Sequence, residues 1–168
     1  ISERQSTTVL DTKRVELALE AAILSRNLEL APESTRGRLM RAENLAKKYG
    51  TKQQLCQVIY QTGWTEFYWM ENPDATFNCY LRLKNILKEE VNVARIEWLI
   101  NLYYLLLAAS KFKLFKLERD MDAETQYINI VHKNLKSDSK HHSCYLFLHL
   151  HWLMMKMMEK LGLFFPNN

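Results

Sequence analysis

TKQQLCQVIYQTGWTEFYWMENPDATFNCYLRLKNIL, residues 51–87, decides the fold. Apolar residues recur at Leu55, Val58, Ile59, Gly63, Phe67 and Met70, which is helical spacing and not the alternation of a strand. Gly50 and Thr51 read as a stop followed by a start. Gly suits the left-handed position past a helix end, and Thr51 with Gln54 predicts a capping box. Asn72-Pro73-Asp74 is a second start: Asn caps, Pro fits the first turn where its missing N–H costs nothing, and Asp favours the positive end of the dipole. Ala75, Cys79, Leu83, Ile86 and Leu87 continue the buried stripe. So short a connection predicts two antiparallel helices in contact.

Composition points the same way. Four glycines and three prolines in 168 residues are few, and favour an all-helical protein. That length suits one domain, 1–168, read as a piece of a larger protein because it opens on Ile1. The net charge of +4 allows weak attraction to acidic surfaces without requiring nucleic acid. Cys56, Cys79 and Cys144 are odd in number and lie in apolar contexts, as free thiols in a reducing, cytoplasmic compartment do. No signal peptide is visible. Trp98–Ala109 is apolar apart from Asn101 but shorter than the ~18–20 residues of a membrane span, so no membrane is expected.

In chain order, residues 1–10 are expected to fray. Asp11 or Thr12 caps a helix to about Leu28, with Val15, Leu17, Ala18, Ala21, Leu24 and Leu28 inward. Ser34 caps a second helix carrying Leu39, Ala42, Leu45, Ala46 and Tyr49. After the central pair, Asn92 caps a helix from Val93 to Ser110 that is apolar all round at its far end, hence interior. One long helix follows from Lys111 to Leu135, then a loop at 136–140, a last helix at about 142–161, and a loose tail at 163–168. Second-helix starts near Ser34, Pro73 and Phe112 give an interval of about 39 residues, within the range of helix-pair solenoids.

Gly63 and Ala75, twelve positions apart, resemble the pair of small residues of the tetratricopeptide repeat, with Ile59 where that family has its bulky aromatic. Glu66 stands where an aromatic is usual and Cys79 where Phe is usual, and no closing proline follows. The resemblance extends over residues 12–135 and is densest at 51–90. It implies a right-handed alpha-solenoid of about three stacked antiparallel hairpins plus a C-terminal capping helix. It also implies a concave face lined by first helices: Gln57, Tyr60, Trp64 and Phe67, then Glu97, Ile100, Tyr104 and Leu107, with Ala18, Ala21, Ser25 and Leu28 in the first unit. Such a face would take a partner peptide or helix through hydrophobic anchors, as a scaffold or sensor module does.

Other signals are weaker. His141, His142, Cys144, His149 and His151 cluster, but His142 and His149 are two turns apart and His149 and His151 diverge, so no metal site is read there. Residues 41–60 resemble a DNA-binding helix-turn-helix with Lys47, Lys48 and Lys52 toward phosphates, although Thr51 replaces an apolar residue. A purely structural or oligomerising bundle is the third reading. No phosphate-binding glycine loop, no GxSxG and no Cys–His spacing supports an enzyme or a cofactor.

Overall fold

A computed structural model describes the backbone over residues 2–87 and 93–111, and side chains over 9–87 and 96–110. The described residues form five helices and no strand: α1 (Ser2–Asn27), α2 (Pro32–Tyr49), α3 (Lys52–Tyr68), α4 (Pro73–Leu87) and α5 (Val93–Lys111). The fold is all-α. Contacts divide the chain into two compact units, Ile1–Leu102 and Tyr103–Asn168, with the boundary inside α5. In the first unit α1 packs on α2, α3 on α4, and α2 on α3, with a lighter contact between α1 and α3. Among the described residues no helix is long and apolar enough to cross a membrane.

Local chemistry explains the helix ends. The Thr51 side chain accepts from the Gln54 N–H while the Gln54 side chain accepts from the Thr51 N–H, at 3.2 and 3.0 Å. This is the reciprocal capping box that the sequence predicts. Asn72 Oδ1 likewise accepts from the Ala75 N–H at 3.1 Å, with Pro73 opening α4. α1 ends in a paired closure, Leu30 N–H to Ser25 C=O and Glu29 N–H to Arg26 C=O. That closure holds Glu29 at φ 53, and Glu71 sits at φ 48 in the connection between α3 and α4. A side chain in this left-handed region costs about 1–2 kcal/mol relative to right-handed backbone.

The first core joins Val15, Leu19 and Ala22 of α1 to Leu39, Ala42 and Ala46 of α2 and Val58 of α3. Alanines at 22, 42 and 46 let the helices approach closely. Gly63 does the same further along: a Cβ there would lie 3.0 Å from Cys79 Cβ of α4 and 3.1 Å from Leu102 of α5. Beside it, the buried Thr76 hydroxyl is shared between the carbonyls of Gly63 and Asn72, each at 3.1 Å. Polar contacts tie the helices together as well. Arg36 of α2 donates two hydrogen bonds to Glu66 of α3, at 2.8 and 2.9 Å. Arg82 of α4 and Lys47 of α2 both donate to Glu43. Gln54 donates to the Thr12 carbonyl of α1 at 3.0 Å.

α2 and α4 start 41 residues apart, at Pro32 and Pro73. The same interval relates Pro32-Glu33-Ser34-Thr35 to Pro73-Asp74-Ala75-Thr76, and both threonines are buried. It also relates Ala22 to Gly63, both buried.

Four expectations are corrected. Gly50 is extended (φ −85, ψ 168), so it does not supply a left-handed turn; it is required because a Cβ would fall 2.7 Å from the Ala46 carbonyl oxygen. α2 starts at Pro32 with Ala31 at its N-cap and no side-chain cap bond, so Ser34 lies inside the first turn. α1 begins at Ser2, ahead of Asp11 and Thr12, because no Gly or Pro interrupts that stretch. The buried face of α1 is Val15, Leu19, Ala22 and Ser25, while Leu17, Leu24 and Leu28 are more than half exposed. Side chains 22 and 25 are small, and this is the side on which α2 can seat Thr35 and Leu39. The helices expected beyond Lys111 and the start at Asn92 lie outside the described residues.

Candidate functional site

α3 carries an aromatic row along one flank. Tyr60 and Trp64, one turn apart, have ring centroids 6.0 Å apart, and Trp64 and Tyr68, the next turn, 4.7 Å. Phe67 and Trp69 pack edge-on against Tyr68 at 5.1 and 6.2 Å. Trp98 of α5 stacks on Tyr60 at 5.8 Å with the planes 14° apart. Tyr60, Trp64, Phe67 and Trp98 are half-buried, whereas Tyr68 and Trp69 are 48 % and 43 % exposed. Helical periodicity of 3.6 residues puts 60, 64 and 68 on one stripe, and α5 supplies the sixth ring from outside it.

Arg26, in the last turn of α1, closes one end of the row. Its guanidinium lies 4.6 Å from the Trp69 ring centroid and donates to Gln61 Oε1 and Thr65 Oγ1, both at 3.1 Å. Burial lowers the Arg26 pKa from its ordinary value, only partly offset by Tyr60, yet an arginine remains charged at any physiological pH. Burial likewise raises the phenols of Tyr60 and Tyr68, with a hydrogen bond to Asn101 offsetting part of the effect at Tyr60. Both rings are therefore neutral donors. The surface offers apolar ring faces, two hydroxyls and a single cation fixed over an indole. Ring faces of this kind are chemically suited to contact with apolar and aromatic side chains.

No known protein family, curated protein or solved structure matches the chain.

The residues named from sequence separate into three groups. Tyr60, Trp64 and Phe67 lie together on the flank, with Gln57 half-buried one turn before Tyr60 on the same helix. Glu97 is half-buried and close enough to Tyr60 to raise its pKa further, whereas Ile100 is wholly buried and belongs to the packing. Tyr104 and Leu107 fall in the second unit, each half-buried, with Tyr104 against the Tyr103 ring at 5.6 Å. In the first helix pair Ala18 and Ala21 are half-buried, Leu28 is exposed, and Ser25 is buried, donating to the Ala22 carbonyl at 2.8 Å and 3.2 Å from Thr35 Oγ1.

Tyr68, Trp69, Trp98 and Arg26 are absent from the sequence-derived set. Tyr68 has a readable signal, one turn beyond Trp64. Arg26 and Trp98 come from other helices, and nothing local ties them to α3. Glu66, standing where the repeat family has an aromatic, is instead the buried carboxylate that holds Arg36. Lys47 is bonded to Glu43 at 2.6 Å, and Lys48 lies 4.9 Å from the Tyr49 ring. Cys56 and Cys79 are buried free thiols, and burial pushes Cys79 up to about 12. Cys144 and the histidine cluster lie outside the described residues.

Proposed function

We propose that the chain is a helical-repeat interaction module whose α3 flank captures an amphipathic helix or extended peptide from a partner protein. On this reading α1–α2 and α3–α4 are successive units of a right-handed, tetratricopeptide-like solenoid, and α5 opens the next. The 41-residue spacing of Pro32 and Pro73, and of the Pro-acidic-small-Thr turns that they open, supports it. So does the packing order, each helix against its neighbours with α1 also touching α3. A unit of this kind leaves an apolar flank that only a neighbouring unit or a partner can cover.

One observation carries the binding role: the row Tyr60–Trp64–Tyr68–Trp69, half-buried at one end and nearly half exposed at the other. Aromatic side chains that are rigid and only partly covered are the usual anchors of protein interfaces. The buried thiols suit a reducing cytoplasm. Weighing against the helix-turn-helix reading, Lys47 is held by Glu43, and α3 packs against α1, α2 and α4. A recognition helix needs one flank free for the major groove, and here that flank is aromatic and not basic.

The test is selection from a displayed peptide library against the intact chain, followed by titration of tryptophan fluorescence. Selected peptides are expected to carry apolar anchors at helical or alternating spacing. Trp64→Ala is expected to weaken them at least about tenfold, a typical loss for an anchor residue, with an unchanged melting curve. Unfolding of Trp64→Ala would make that ring part of the core and end the proposal. Undiminished binding would end it equally.

A further inference from the structure

A cleft of about 820 Å³, within the size range of ligand pockets, lies between α1 and α2 and shares no lining residue with the aromatic row. Arg14, Arg38 and Arg41 line it together with Leu17, Leu45 and Tyr49. No acidic residue lines it among the described residues. Arg14 pairs only loosely with Asp11, at 3.4 Å and with its side chain 67 % exposed. Arg38 and Arg41 make no ion pair among the described residues, whereas Arg36 and Arg82 on neighbouring surfaces are both satisfied by glutamates.

Three guanidinium groups around one depression repel each other, and an arrangement of this kind is relieved by an anion. Arginine also narrows the choice, because its planar fork pairs with carboxylates two bonds at a time. The apolar lining narrows it further. Leu17 is 53 % exposed and Tyr49 37 %, so an occupant gains by covering carbon as well as by neutralising charge. A free phosphate or a duplex backbone would leave Leu17 and Leu45 in water, and a single strand would need base-stacking platforms, of which the cleft lining offers Tyr49 alone.

We propose that this cleft docks an acidic amphipathic segment of another protein, with carboxylates on Arg14, Arg38 and Arg41 and apolar side chains on Leu17, Leu45 and Tyr49. The site shares no residue with the aromatic row, so it stands or falls separately from the function proposed above.

Fluorescence anisotropy on the intact chain tests it. The probes are a labelled Glu/Leu amphipathic peptide of about four helical turns, its Gln-for-Glu counterpart, a scrambled version, and a single-stranded oligonucleotide. The Glu/Leu peptide is expected to bind at least about tenfold more tightly than the Gln and scrambled versions at low ionic strength, and to be released by salt. Arg38→Ala with Arg41→Ala is expected to weaken it by at least about tenfold, while Trp64→Ala leaves it unchanged. Should the alanine pair fail to fold, Arg38→Glu with Arg41→Glu is read by preference for a Lys/Leu peptide over Glu/Leu. Equal binding of Glu and Gln peptides, equal binding of the scrambled peptide, tighter binding of the oligonucleotide, or indifference to both double variants would overturn the proposal.

Discussion

Gly63 and Gly37 give opposite predictions for one chemical change. Both sit inside helices, and replacing either by alanine restores about 1 kcal/mol of helix propensity. Around Gly37 nothing lies within 4 Å of a new Cβ. Gly37→Ala is therefore expected to stabilise by about 1 kcal/mol, roughly 2–4 °C in melting temperature for a chain of this size. At Gly63 the same methyl would meet Cys79 Cβ at 3.0 Å and the two Leu102 Cδ atoms at 3.1 and 3.2 Å. Carbon atoms prefer about 3.5–4.0 Å, so the contact is short by about half an ångström or more. Leu102 can rotate away in part, but a Cβ is fixed to its backbone, and relief at Cys79 requires α4 to move from α3. Overpacking of this kind costs about 1–3 kcal/mol, so after the propensity gain Gly63→Ala is expected to lose about 0–2 kcal/mol in place of the gain at Gly37. Urea denaturation of the intact chain followed by circular dichroism measures both variants against wild type. Stabilisation of Gly63→Ala to the same degree as Gly37→Ala would refute the packing of α3, α4 and α5 at this point.

The turns and ion pairs add further tests. Ala31 holds the N-cap of α2 with no side-chain bond, where Asn72 serves α4, so Ala31→Asn is expected to stabilise by about 1 kcal/mol in the same assay. Arg36→Ala leaves the Glu66 carboxylate, 9 % exposed, without its fork, whereas Glu66→Ala leaves a guanidinium 44 % exposed that water can solvate. The arginine variant is expected to lose about 2–3 kcal/mol and the glutamate variant about 1, and equal losses would mean that the pair is hydrated like an ordinary surface bridge. Burial raises the Glu43 pKa, but hydrogen bonds from Lys47 and Arg82 outweigh it and hold the carboxyl below its ordinary value. Its stabilisation is thus complete above the unfolded-state pKa of about 4.3 and is lost as pH falls through the lower folded value. Melting temperatures measured downward from about pH 5 should fall more steeply for wild type than for Glu43→Gln.

The helix starts at Thr51 and Asn72 were readable because their causes are local, whereas those of α1 and α2 were misplaced because neither uses the side-chain cap that the sequence offered. Thr51 with Gln54, and Asn72 with Pro73, place a donor and its acceptor within three residues of one another, so four letters suffice. Which side of α1 is buried was not readable. The helix carries two apolar stripes, one through Leu17, Leu24 and Leu28 and another through Val15, Leu19 and Ala22, and hydrophobicity favours the first. Close approach of α2 selects the second, because Ala22 and Ser25 admit Leu39 and Thr35 where leucines would not. The candidate site divides in the same way. Tyr60, Trp64 and Phe67 share a helix and a period, whereas Arg26 reaches Gln61 and Thr65 across 35 and 39 residues of chain. The interval read as about 39 is 41, since Pro32 and not Ser34 opens α2.

The stripe that α1 does not bury has a consequence for the surface chemistry. Leu17 is free to line the basic cleft because Leu19 and Ala22 have taken the core. On α3 the corresponding surplus is aromatic: Val58, Ile59 and Gly63 fill the interior, and Tyr60, Trp64 and Tyr68 are left on the flank. Both helices thus carry more apolar surface than their packing consumes, but the polar partners differ. Leu17 of the α1 surplus shares its cleft with Arg14, Arg38 and Arg41, whereas the α3 surplus meets Arg26, already engaged with Trp69, Gln61 and Thr65. If both proposals hold, a ligand for the first brings negative charge and its affinity falls with salt, while a ligand for the second brings carbon and its affinity is nearly indifferent to salt. Binding titrations at low and high ionic strength are therefore expected to separate the two surfaces before any residue is changed, and equal salt dependence at both would refute the distinction.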